Sequence, residues 1–181
     1  MNSCRVKRNR LRRTGWLIVV IIAIPTASGA IDLEPGGGVF GSYALTTKGT
    51  VGNRNPGAGA EGYVRAGRWV GGGLRFGYHR FLKEGTHWFR TDLVADAHFL
   101  PTEKRLDPYL GFGVGFARAR TINALGLAPR AGLNVWFTDK VGGMFTTTYA
   151  IDIGRRQPTA FEASRIVMHG VVLDLGMRFR F

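Results

Sequence analysis

The chain is poor in the residues that most catalytic and cross-linking chemistry requires. It holds one cysteine, Cys4, so no disulfide can form within it, and thiolate chemistry has no second partner. Serine is scarce too, with only Ser42 and Ser164 beyond residue 30. A serine nucleophile needs a histidine within hydrogen-bond reach, itself oriented by an acid. Ser164, His169 and Glu162 lie close in sequence, but Ser164 and His169 differ by an odd number of positions and face opposite sides of a regular strand. Asp96 and His98 share a face, yet an ion-pair lattice with Arg90 is a simpler expectation for them than a metal or acid–base pair. No zinc, calcium or haem spacing occurs. The expectation is therefore no catalytic residue, no metal and no cofactor. Glycine-rich stretches such as G-F-G-V-G-F at 111–116 continue a strand pattern instead of opening a helix, so they are not phosphate loops.

Long apolar runs are also missing. The longest, 16–24, falls short of the roughly 20 residues a spanning helix needs. It follows a basic start of Arg5, Lys7, Arg8, Arg10, Arg12 and Arg13 and precedes a small-residue stretch from Pro25 to Ala30. That three-part order is the form of a secretory signal peptide, with cleavage expected after Ala30. Residues 1–30 are then the leader and 31–181 a single domain. The formal charge of +13 includes the leader's six cations and no leader acid, which leaves +7 for the mature chain. The basic balance is thus no argument for nucleic acid, and no nucleic-acid partner is expected.

No segment after the leader has helical periodicity; short alternating segments separated by turn residues fill it instead. Strands are expected at about 37–46, 58–68, 72–81, 88–100, 109–118, 127–137, 141–152 and 165–181. Connections after the second, fourth and sixth are compact, and the others are generally longer or more polar. An even number of strands with alternating short and long links predicts a closed antiparallel transmembrane β-barrel. The expected fold class is all-β, an up-and-down meander of about eight strands with a polar, side-chain-filled interior.

Alternation also assigns faces. In 170–181, Val171, Leu173, Leu175, Met177, Phe179 and Phe181 point one way, and Asp174, Arg178 and Arg180 point the other. The same reading along the chain gives an inward polar set of Arg75, His79, Arg90, Asp92, Asp96, His98, Arg130, Asn134, Asp174, Arg178 and Arg180. These carry both signs and are expected to pair across the lumen, with glycines leaving room for long arginines. Aromatic belts are expected from Trp69, Tyr109, Phe137 and Phe181 at one end and from Tyr78, Phe81, Trp88 and Tyr149 at the other. Lys48, Arg54, Lys83, His87, Arg118, Arg120, Arg155, Arg156 and Arg165 cluster at the outer links. Arginine suits phosphate there, because its planar fork binds bidentately.

The last strand, through Leu175, Met177, Phe179 and Phe181, resembles the C-terminal insertion signal of bacterial outer-membrane barrels. With the leader and the alternation, the chain resembles the small eight-stranded outer-membrane barrels, the class that includes the barrel domain of outer membrane protein A and outer membrane proteins X and W. The resemblance implies location in the bacterial outer membrane and insertion by that membrane's barrel-assembly machinery. It further implies a non-enzymatic role that is structural, lipopolysaccharide-contacting or adhesive, with a narrow passage for small or hydrophobic molecules as one form. Lipopolysaccharide contacts would fall to Lys48, Arg54, Lys83, Arg118, Arg120, Arg155 and Arg156. No wall-anchoring role is expected, since no peptidoglycan-binding domain follows Phe181. Two alternatives stand: a lipid A deacylase or acyltransferase of the same architecture, and a soluble lipocalin-like barrel with its apolar face inward around a ligand.

Overall fold

A computed structural model of the chain describes residues 32–48, 55–81, 86–100, 105–119, 122–156 and 165–181. The expected leader and its cleavage at Ala30 lie outside the described residues. Eight strands follow one another: β1 (Leu33–Lys48), β2 (Asn55–Ala66), β3 (Val70–Phe81), β4 (Thr86–His98), β5 (Leu106–Ala119), β6 (Ile122–Trp136), β7 (Val141–Arg156) and β8 (Arg165–Arg180). Each pairs antiparallel with its sequence neighbours, and β1 pairs with β8, so the sheet closes. Closure leaves no sheet edge, which hydrocarbon surroundings would penalise by several kcal/mol per unpaired backbone group. Strands of 12 to 16 residues exceed the ~9–11 that a tilted strand needs to cross a bilayer.

One end of the barrel, the near end, holds the start of β1, the end of β8 and two fully described turns, at 67–69 and 137–140. Gly67 turns the chain with φ 61°, a left-handed conformation that glycine adopts without a Cβ penalty. In the turn between β6 and β7, the Thr138 hydroxyl accepts hydrogen bonds from the backbone N–H groups of Lys140 (3.3 Å) and Val141 (3.0 Å), a hydroxyl-built turn. The far end is where β1, β3, β5 and β7 finish and β2, β4, β6 and β8 begin. Link lengths alternate less cleanly than the sequence suggests. β5 and β6 run until only 120–121 separates them, whereas 99–105 joins β4 to β5. β6 begins at Ile122, five residues before the expected strand start at 127.

Pro129 lies inside β6. It has no N–H to donate, and the β6–β7 ladder skips Ala128 and Pro129 between the pairs Leu127 with Ile151 and Arg130 with Thr148. The register is the same on both sides, so the interruption is local.

Large apolar side chains are exposed around the whole circumference. Val39, Val64, Phe76, Leu93, Val114, Leu125, Phe145 and Leu175 represent β1 to β8 in order. The buried side chains include the charged ones: Glu61, Arg65, Arg75, Arg90, Asp92, Asp96, Asp107, Arg130, Asp152, Asp174 and Arg178 all face inward. A soluble barrel would have these faces reversed, so the lipocalin-like alternative does not fit.

Candidate functional site

The lumen is crossed by a lattice of ion pairs whose geometry follows from glycines on intervening strands. Asp96 of β4 and Arg130 of β6 both sit opposite Gly111 of β5. With no Cβ between them they meet directly: Arg130 Nε donates to Asp96 Oδ1 at 2.7 Å, and Nη2 donates to Oδ2. Glu61 of β2 and Arg178 of β8 flank Gly38 of β1 in the same way, and Arg178 Nη2 donates to Glu61 Oε1. Glu61 also accepts from Arg130 Nη1 at 2.8 Å and lies 3.6 Å from Arg75 Nη1. One carboxylate thus gathers three guanidinium groups at mid-barrel.

Further pairs extend the lattice both ways. Arg75 donates to Asp174 at 2.5 Å. Toward the far end, Arg90 spans Asp92 (2.8 Å) and Asp152 (2.5 Å); Gly126 makes room there, since a Cβ at that position would meet Asp152 Oδ1 and the Arg90 guanidinium. Toward the near end, Asp107 accepts from Arg65 (3.2 Å) and Asn134 (3.0 Å) and lies 2.8 Å from His98 Nδ1. Arg178 closes that group by donating to Asn134 Oδ1 at 3.0 Å.

The structure places the expected inward residues as follows. Arg75, His79, Arg90, Asp92, Asp96, His98, Arg130, Asn134, Asp174 and Arg178 are buried, and Arg180 is half-buried with its guanidinium 3.6 Å over the Trp136 ring. Asp96 pairs with Arg130, not Arg90, and His98 with Asp107, which revises the expected Asp96, His98 and Arg90 grouping. Sequence reasoning missed Glu61, Arg65, Asp107 and Asp152. Glu61 lies in a run of glycine and alanine where no apolar alternation marks the faces, and Asp107 and Asp152 lie at or beyond the expected strand ends. Parity with Tyr63 would have turned Glu61 and Arg65 inward.

The aromatic belts need correction. Tyr109 is buried, its hydroxyl 2.5 Å from Thr146 Oγ1, with Arg130 and Arg178 against its ring. Phe81 and Trp88 are buried as well and stack at 5.3 Å, forming an apolar cluster with Ala117, Ala119, Ala124 and Met168 at the far end of the lumen. The reason is parity: Tyr109 shares a face with Gly111, Phe81 with His79, and Trp88 with Arg90. Trp69, Phe137 and Phe181 are exposed at the near end, whereas Tyr149, expected at the other belt, is exposed mid-strand because β7 continues seven residues past it to Arg156. On the outer surface Tyr78 and His87 share a hydrogen bond of 2.6 Å, and Tyr149 and His169 one of 3.3 Å.

Of the expected outer-link cations, Arg118 is exposed at the end of β5. Lys48, Arg155 and Arg156 are the last residues of β1 and β7, and Arg165 opens β8. Arg54, Lys83 and Arg120 lie outside the described residues, as do Ser164 and Glu162. Of the expected insertion signal, Leu175, Met177 and Phe181 are exposed and Phe179 shares their face.

The structure also brings Ser42 and His79 together, with Oγ 2.8 Å from Nε2, both buried in the lumen. Among the described residues no carboxylate hydrogen-bonds the other ring nitrogen, and the charges acting on this imidazole are those of Arg75 and Arg90. An orienting acid is the part of a triad that holds the histidine tautomer, and none of the described carboxylates supplies it to His79. Among the described residues, no three His, Cys, Asp or Glu side chains group to hold a metal.

No family model matches the chain. No curated protein matches it. Among solved structures the chain is similar to Neisserial surface protein A, at 15% identity and a TM-score of 0.59, covering 82% of this chain and 97% of that one. It is similar to outer membrane protein W of E. coli, at 13% identity and a TM-score of 0.55, covering 84% and 100%. The N-terminal β-barrel domain of Pseudomonas aeruginosa OprF matches at 14% identity and a TM-score of 0.53, covering 83% and 100%. At these identities the likeness is one of fold, and the chain has the fold of the small eight-stranded outer-membrane β-barrels.

Proposed function

We propose that the chain is a non-enzymatic integral barrel of the bacterial outer membrane, closed to solute flow, which serves as a rigid scaffold for its far-end links. The observation that carries this reading is the division of faces. Apolar side chains cover the outside of all eight strands, while eleven charged side chains, from Glu61 to Arg178, are buried and paired within. Hydrocarbon favours the first arrangement, and a polar lumen requires the second. The ion-pair lattice crosses the space that a passage for small molecules would use. In the outer membrane, the near end would face the periplasm and the far end the exterior.

Gel mobility with and without boiling tests the membrane reading: a folded membrane barrel shifts on heating. Planar-bilayer recording tests closure, and long-lived unitary conductance from the unmodified protein would contradict it. Incubation with lipid A tests the enzymatic alternative, for which a change in lipid mass would be the positive result.

A further inference from the structure

The arginines of the strands divide between the two faces of the wall. Arg65, Arg75, Arg90, Arg130 and Arg178 are buried and paired in the lumen, whereas Arg80 and Arg118 are exposed on the outside. Among the described side chains, no other arginine or lysine of a strand is exposed. Both lie one residue in from the far end of their strands, β3 and β5, and His87 holds the same position on β4 between them. The ladders put Arg80 directly opposite His87, and Arg118 opposite Phe89, two residues along from His87. Opposed residues lie about 5 Å apart and diagonal ones about 7–8 Å, so three nitrogen-bearing side chains converge on one small area.

Among the described residues nothing neutralises the two guanidinium groups. Asp92 and Asp96 of β4 and Asp107 of β5 are buried in the lumen, and neither Arg80 nor Arg118 has a hydrogen-bond or ion-pair partner among the described residues. His87 is held in place: its Nδ1 lies 2.6 Å from the Tyr78 hydroxyl, and the two rings stack at 5.7 Å. With the phenol donating to Nδ1, the ring proton sits on Nε2, a donor turned away from Tyr78.

We propose that Arg80, His87 and Arg118 form a binding site for the phosphate group of a membrane lipid. The proposal rests on the reading of the barrel as membrane-spanning, in which an outward side chain at a strand end meets lipid headgroups. The planar fork of each arginine fits phosphate oxygens, and the two unneutralised charges make the headgroup, not the acyl chain, the part that the site selects.

The test uses the full chain, folded in micelles that contain phosphatidylglycerol and phosphatidylcholine, with lipid retained per barrel read by native mass spectrometry. The unmodified protein retains phosphatidylglycerol in preference to phosphatidylcholine. The double variant Arg80→Gln, Arg118→Gln lowers that preference at least about tenfold, the weight of one lost charge-assisted contact. A control, Arg68→Gln with Arg105→Gln, removes the same charge from exposed near-end positions and keeps the preference. Equal loss in the control would reduce the effect to general attraction and overturn the site, as would full retention in the double variant. Displacement of the lipid by millimolar inorganic phosphate, but not by sodium chloride of the same ionic strength, would overturn the lipid in favour of free anion. Heat-dependent gel mobility, measured on each variant, keeps the membrane reading separate: a shifted barrel without lipid preference refutes only the site. If the double variant does not fold, Arg118→Gln alone carries the comparison.

Discussion

Glu61 is the carboxylate on which three arginines converge, and its neutralisation gives the most quantitative test of the lattice. Glu61→Gln keeps the side chain's shape and removes its charge. Arg130 would retain both bonds to Asp96, and Arg75 would retain Asp174 at 2.5 Å. Arg178 would be left with the neutral Asn134 Oδ1 at 3.0 Å and the Tyr63 ring 3.9 Å from its guanidinium. Removing one partner of a buried pair costs ~3–5 kcal/mol. Because two of the three arginines keep a carboxylate, the expected loss is at the low end, about 3 kcal/mol, or roughly a hundredfold in the unfolding equilibrium. Denaturant unfolding in lipid micelles, followed by tryptophan fluorescence, measures it. The cost comes from an orphaned cation, so Glu61→Gln combined with Arg178→Gln should recover at least half of the loss. A single-variant loss below about 1 kcal/mol, the range of exposed pairs, or a double variant no more stable than the single, would refute the reasoning.

Two glycines should respond in opposite ways. A Cβ at Gly111 would meet Asp96 Oδ1 and the Ala95 carbonyl, whereas one at Gly62 meets nothing within 4 Å; Gly111→Ala should therefore cost about 1–3 kcal/mol and Gly62→Ala should gain up to about 1 kcal/mol, both read by the same unfolding assay. Replacing Pro129 with Val restores an N–H where the β6–β7 ladder is interrupted, and should add about 0.5–1.5 kcal/mol together with a slowly exchanging amide at that position. Ser42→Ala removes the 2.8 Å hydrogen bond of a buried histidine and should cost about 1–3 kcal/mol, while leaving the mass of co-incubated lipid A unchanged. A lipid mass change made by the unmodified protein and lost in Ser42→Ala would instead make that dyad catalytic.

Strand alternation made the architecture legible, because a period of two is strong where bulky apolar residues mark one face, as in β4, β5 and β8. It is weak in β2, where G-A-G-A-E-G offers no bulk on either side, and Glu61 stays hidden there for that reason. Tyr109, Phe81 and Trp88 were readable in principle. Their parity sends them inward, and the preference of aromatic rings for the interface does not override it when a guanidinium or another ring waits inside. Which aspartate meets which arginine was not legible. That pairing depends on the stagger between strands, which brings Asp96 and Arg130 to the same glycine of the strand between them.

Lipid contact along one strand tests the central claim most directly. Single cysteines carrying nitroxide labels at 110, 112, 114 and 116 in β5, and at 111, 113 and 115 between them, report oxygen and nickel-chelate accessibility in reconstituted vesicles. The division of faces predicts high oxygen and low nickel access at the first set, where Leu110, Phe112, Val114 and Phe116 are exposed, and low access to both at the second. Equal access at both sets, or nickel access at the first, would contradict a membrane-spanning barrel with its charges inside.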